Sequence, residues 1–146
     1  MTGKSDRDFH RMMSDHHKGL VLLAHETNEK SEPLSVKSDA TKLDSKQDAE
    51  LEKMAGILKK DYNDSYEPKV MPDNQAMADE LKPLSGKAYE KKFLEHVVMH
   101  HQQAIKMIDE YLPKAKRADI KSMAEKMKAD QTKEIKEFQA KISKLG

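Results

Sequence analysis

Two His-His dipeptides, His16-His17 and His100-His101, stand out as residues suited to chemistry in a chain of 146 residues. Imidazole titrates near neutral pH and is the commonest nitrogen ligand for transition metals. The chain holds 7 His and 10 Met but no Cys, so disulfides, thiolate sites and cysteine nucleophiles are excluded. Thioether groups gather near both pairs. At helical spacing Met12 aligns with His16, Met13 with His17 and His96 with His100, while Met99 and Met107 border the second pair. Residues four apart on a helix point the same way and can present two ligands to one ion. Carboxylates are sparse there (Asp15 in one case, Glu95 in the other), which disfavours the all-oxygen shells of Ca²⁺ and Mg²⁺. His with Met and no thiolate favours copper, Met pulling toward Cu(I), with silver as its mimic. Zinc is the alternative, since it takes histidine but gains little from Met.

The elements that must position these residues are repeated. A shift of 84 residues places Phe9 on Phe93, His16 on His100, His17 on His101, Ala40 on Ala124, Gln47 on Gln131 and Glu50 on Glu134. A constant offset through two helices implies two copies of one unit. In each copy apolar residues recur at three- and four-residue steps: Phe9, Met13, His17, Leu20 and Ala24, then Phe93, Val97, His101, Ala104, Ile108 and Tyr111. Return helices carry Val36, Leu43, Gln47, Leu51, Met54 and Leu58, and Ile120, Met123, Met127, Gln131, Ile135, Phe138 and Ile142. Glu32-Pro33 marks one turn and Pro113 the other, with Asp119 expected as the N-cap that follows. No stretch alternates with period two, so the fold class expected is all-α.

The repeats span about 5–62 and 89–146, joined by a Pro-containing linker of about 63–88 with one short helix near 75–81. Such a linker can run the length of a bundle, giving one four-helix domain over 1–146, ferritin-like in its connectivity: two hairpins and a long crossover. His17, His101, Gln47 and Gln131 fall on the apolar seams and should meet at the centre. A buried polar group must be paired, which allows a plain reading: a His–Gln layer that fixes register.

Charged residues make up 36% of the chain and balance to +1, which argues against nucleic-acid binding, and no apolar run is long enough for membrane insertion. The opening Met1-Thr2-Gly3-Lys4-Ser5 shows no apolar leader. No nucleophile motif or phosphate loop is present, so the chain is not expected to be an enzyme; a metal-dependent redox enzyme is the weakest of three readings.

The strings Asp8-Phe9-x-x-Met12-Met13-Ser14-Asp15-His16-His17 and Phe93-x-x-His96-Val97-Val98-Met99-His100-His101-Gln102-Gln103-Ala104-Ile105-x-Met107 resemble the bacterial family catalogued as domain of unknown function 305. So do Gln47-x-x-Glu50-Leu51-x-x-Met54 and Gln131-x-x-Glu134-Ile135-x-x-Phe138. The resemblance implies a ferritin-like bundle, exported to the periplasm or secreted, some members of which bind copper through His and Met. By position it implies His16, His17, His100 and His101 as site residues, with Met12, Met13, His96 and Met99 as further candidate ligands. The first copy departs from the pattern, with Lys18-Gly19-Leu20 where the second has Gln102-Gln103-Ala104, and Leu23 in place of Met107. The expected function is metal sequestration, transport or tolerance, with a metal ion as partner and either a monomer or a homodimer. The alternative is a structural or partner-binding bundle that holds no metal.

Overall fold

The computed structural model describes the chain from Lys4 to Leu145; Met1 to Gly3, the start of the opening Met1-Thr2-Gly3-Lys4-Ser5, and Gly146 lie outside the described residues. The described residues form helices and connections, with no strand. Five α-helices follow in order: α1 Lys4–Glu29, α2 Lys37–Tyr62, α3 Pro72–Leu81, α4 Gly86–Tyr111 and α5 Ala118–Leu145. A 3-10 turn, Leu112–Lys114, follows α4 where Pro113 cannot continue the α-helical ladder. Two boundaries differ from expectation. The linker helix starts at Pro72, whose fixed φ suits the first helical position. Helix α5 begins at Ala118, so Asp119 lies in its first turn and is not its cap.

The periodic stripes become the buried faces. Phe9, Met13, His17, Leu20 and Ala24 of α1 are all buried, as are Phe93, Val97, His101, Ala104, Ile108 and Tyr111 of α4. Contacts show how the long helices run. His17 meets Glu50 and Ser14 meets Met54, so α1 and α2 are antiparallel. His101 meets Glu134 and Asp109 meets Lys128, which makes α4 and α5 antiparallel too. Thr27 with Tyr89 and Phe9 with Tyr111 set α1 antiparallel to α4.

A reciprocal pair of caps ties the halves together. Asp6 of α1 accepts the backbone N–H of Lys116, between α4 and α5, at 3.1 Å. Glu90 of α4, 84 positions on, accepts the N–H of Ser35 between α1 and α2 at 2.5 Å. Each half thus holds the other's turn.

The segment between α2 and α4 tracks α1. Asp64 pairs with Arg11 at 2.7 Å, Tyr66 donates its hydroxyl to Asp15, and α3 then packs on α1 where Asn74 fills the space above Gly19. A Cβ at Gly19 would lie 2.1 Å from the Asn74 amide nitrogen, so glycine is what permits this close approach. Lys30 finally bonds the carbonyl of Leu84.

The apolar interior is split in two. One cluster holds Leu20, Leu23, Leu43, Leu81, Phe93, Val97 and Phe138. The other holds Phe9, Met13, Met54, Ile108, Tyr111, Ile120 and Met127. Fully burying one such side chain stabilises by roughly 1.5–3 kcal/mol. By position on all four long helices, the histidine pairs and both glutamines fall between the clusters. The polar layer interrupts the core at mid-length. No described helix is long and apolar enough to cross a membrane.

Candidate metal centre

In each His-His motif the two rings point about 100° apart around the helix and meet different surroundings. The first histidines meet each other. His16 and His100 stack with ring centroids 3.6 Å apart and planes at 19°, and His16 Nε2 donates to the carbonyl oxygen of His100 at 2.7 Å. A ring that donates from Nε2 keeps its Nδ1 as a lone pair. His100 is 1% exposed, and its Nε2 has no hydrogen-bond partner. Burial, aided by the neighbouring imidazoles, pushes His16 down to about 4 and His100 well below the usual histidine range. Both rings are therefore neutral at physiological pH, the state in which imidazole binds a metal.

The second histidines meet carboxylates. His17 donates from Nδ1 to the Met13 carbonyl at 3.0 Å, and its Nε2 lies 2.7 Å from Glu50 Oε1. Both ring nitrogens are committed to oxygen acceptors. His101 Nε2 makes the same 2.7 Å contact with Glu134 Oε1, while its Nδ1 is buried without a partner. These are His–Glu pairs. The His–Gln layer of the alternative reading is not formed: neither Gln47 nor Gln131 bonds a histidine, and Gln47 Nε2 and Gln131 Oε1 are buried without partners. The physical reason is register. Across antiparallel helices the carboxylate three residues beyond each glutamine lies at the right height to reach the ring.

Glu134 has a second partner, Lys46 Nζ at 3.1 Å. Burial opposes its ionisation, but the contacts with His101 and Lys46 hold it below the usual carboxylate range. Lys46 also lies 3.4 Å from Asp130.

The other candidate residues scatter. Met12 and Met99 are exposed at 52% and 45%, whereas Met13 is fully buried in the apolar cluster. Met12 shares a surface groove with Phe9, Met107 and Tyr111, one turn along α1 from His16. His96 is buried, with Nε2 3.5 Å from Glu80 Oε2, too poorly aligned to count as a hydrogen bond. Burial lowers its pKa against the attraction of Glu80. The structure therefore brings together His16 with His100, and sets Met12 beside Met107; it does not gather all eight candidates. Among the described residues no three His, Asp or Glu side chains converge as a ready cation cage. Glu50 and Glu134, the direct partners of the second histidines, were not among the candidates, although Gln-x-x-Glu in both return helices was the available signal.

The donor set suits a soft or borderline ion: two neutral imidazoles, one with a buried nitrogen lacking any partner, and two thioethers in a groove whose Met12 lies one turn along α1 from His16.

A family model described as Domain of unknown function (DUF305) matches residues 6–142. No curated protein matches the chain. Among solved structures, a DUF305 fragment from Deinococcus radiodurans is 23% identical, with a TM-score of 0.83 and 97% of each chain covered. CopM in its Cu(II)-bound form is 20% identical, with a TM-score of 0.81 and 97% of each chain covered. CopM in its Cu(I)-bound form is also 20% identical, with a TM-score of 0.79, covering 95% of this chain and 96% of that one. At such identities the likeness is one of fold.

Proposed function

The chain belongs to the DUF305 family, and from that premise we propose that it binds copper, as Cu(I) and Cu(II), for sequestration, transport or tolerance and not for catalysis. The observation that carries this reading is the stacked, buried, neutral pair His16 and His100, with an unpartnered nitrogen, and the groove of Met12 and Met107 begins one turn along α1 from His16. Like folds in copper- and silver-bound CopM support the choice of metal. Imidazole nitrogens would hold either oxidation state, and the thioethers would favour Cu(I). Zinc would use the imidazoles alone.

Within this reading the eight candidates divide. His16 and His100 serve the metal, with Met12 from the groove and Met99 and His96 around the second motif. His17 and His101 hold helix register through Glu50 and Glu134, and Met13 packs the core. The architecture is one four-helix domain, ferritin-like, of two tandem hairpins joined by the segment that tracks α1. Function outside the cytoplasm, in the periplasm or after secretion, belongs to the same proposal, and a monomer already contains the whole seam.

Competition for Cu(I) against a chromophoric chelator tests it. The His16→Ala/His100→Ala variant should bind at least ~10-fold more weakly than the native chain, since losing even an outer-shell partner of a metal costs ~10–100-fold. Equal affinity of the two would overturn the assignment. Met12→Ala/Met107→Ala should weaken Cu(I) more than Cu(II).

A further inference from the structure

A second constellation lies at the other end of the interior, where α1 starts, α2 ends and α5 begins. Asp6 is fully buried. Its Oδ1 accepts from the Tyr111 hydroxyl and from the backbone N–H of Lys116, but Oδ2 is buried with no partner. His10, one turn along the same face, is also fully buried. Its Nδ1 lies 2.8 Å from the Asp6 carbonyl oxygen and donates to it, so Nε2 presents a lone pair, and that atom too has no partner. The antiparallel register that sets Ser14 against Met54 carries Tyr62, the last residue of α2, opposite the first turn of α1. Its hydroxyl is the third buried polar atom without a partner.

Two bare acceptors on one helix face, neither of them hydrogen-bonded to any donor, the Tyr62 hydroxyl included, call for something that brings positive charge or hydrogen. A water molecule would supply hydrogen but leave the Asp6 carboxylate charge against an apolar cluster that includes Phe9, Tyr111 and Ile120. The nearby guanidinium of Arg117 is already spoken for, by Asp61 and Asp119 at 2.7 Å each.

We infer that Asp6 Oδ2 and His10 Nε2, with the Tyr62 hydroxyl beside them, form a second metal site for a borderline divalent cation of the Zn(II) class. One carboxylate oxygen and one imidazole nitrogen at i and i+4 are the donors such an ion takes on a single helix. Tyr111 and Lys116 fix the carboxylate from behind, as outer-shell partners do. The position 84 residues beyond His10 is Leu94, so this site belongs to the first half alone and does not depend on the copper seam.

Co(II), whose visible bands report its ligands, is the probe for the full-length chain. One equivalent should bind, survive the His16→Ala/His100→Ala change, and be displaced by Zn(II). Asp6→Asn keeps Oδ1 for Tyr111 and Lys116 and removes only the Oδ2 lone pairs; it should weaken Co(II) binding by at least ~10-fold. His10→Asn, which can still donate to the Asp6 carbonyl, should do the same and decides the matter if Asp6→Asn fails to fold. Undiminished binding in a folded variant, loss of the signal with the seam variant instead, or an ordered water between Asp6 and His10 in crystals saturated with Zn(II) would overturn the inference.

Discussion

The two halves of the chain make the same bonds with different surroundings. His17–Glu50 and His101–Glu134 are both 2.7 Å, and all four residues obey the 84-residue offset. Around this shared frame the halves diverge. Lys46 reaches Glu134, but the position equivalent to Lys46 is Asp130, so Glu50 gains no lysine in return. Asp15 of α1 is covered by Tyr66 and Lys69, whereas its counterpart Met99 on α4 stands open. Gly19 lies under Asn74, whereas its counterpart Gln103 is exposed. What recurs fixes register; what departs gives each half its own surroundings.

The largest effect tests equivalence across the seam. A histidine whose folded pKa lies below its unfolded value leaves the unfolded chain binding more protons between the two. Stability from that group is full above the unfolded pKa of 6.5 and falls with pH toward the folded one. For His16, held down to about 4 in the folded state, the loss amounts to about 3 kcal/mol. His100 shifts in the same direction. Urea melts from pH 7 to pH 4 should show this acid loss, and His16→Phe and His100→Phe should each flatten it. If only one does, the halves are not equivalent at the seam.

Next comes the carboxylate layer. Glu134→Ala strands His101 and takes from Lys46 the nearer of its two carboxylates, and should cost about 2–3 kcal/mol; Glu50→Ala strands His17 alone and should cost about 1–2 kcal/mol. Equal losses by urea denaturation would show that Lys46 contributes nothing to the difference.

How much of this was legible beforehand depends on what kind of order each residue obeys. Helical periodicity is local, so the all-helical class and the buried positions of Phe93, Val97, Ile108 and Phe138 could be read directly. The same wheel puts Met12 beside Met13 but 100° away, and the two end up exposed and buried. The vertical register between helices is not local. Gln47 sits on the predicted seam, yet Glu50 reaches His17, because the heights of α1 and α2 follow from packing and from the turn joining them. The path from Asn63 to Met71 has no periodicity to read, so its contacts with Arg11 and Asp15 left no trace in spacing. Gly19 was visible as a departure from the 84-residue correspondence, but its partner Asn74 was not.

That departure sets the third test. Gly19→Ala places a Cβ 2.1–2.7 Å from side-chain atoms of Asn74, so α3 must shift. Overpacking of this kind costs about 1–3 kcal/mol, partly offset by the helix propensity of alanine at up to about 1 kcal/mol. Gln103→Ala, at the equivalent exposed position, should stay within about 0.5 kcal/mol of native. Adding Asn74→Ala should restore much of the Gly19→Ala loss. Failure of that rescue in thermal melts would mean that α3 is held elsewhere.

The smallest net change gives the sharpest test of what separates the halves. Lys46 and Asp130 are related by the offset and lie 3.4 Å apart, so exchanging them, Lys46→Asp with Asp130→Lys, keeps the pair and moves the cation to the other half. Both side chains are 37% exposed, where an ion pair is worth about 1 kcal/mol or less. Overall stability should therefore stay within about 0.5 kcal/mol of native. The ranking of the two carboxylates should nevertheless invert, with Glu50→Ala costing more than Glu134→Ala in the exchanged chain. If Glu134 remains the costlier residue, its greater weight comes from its burial and from His101, and the asymmetry between the halves is one of packing, not of charge.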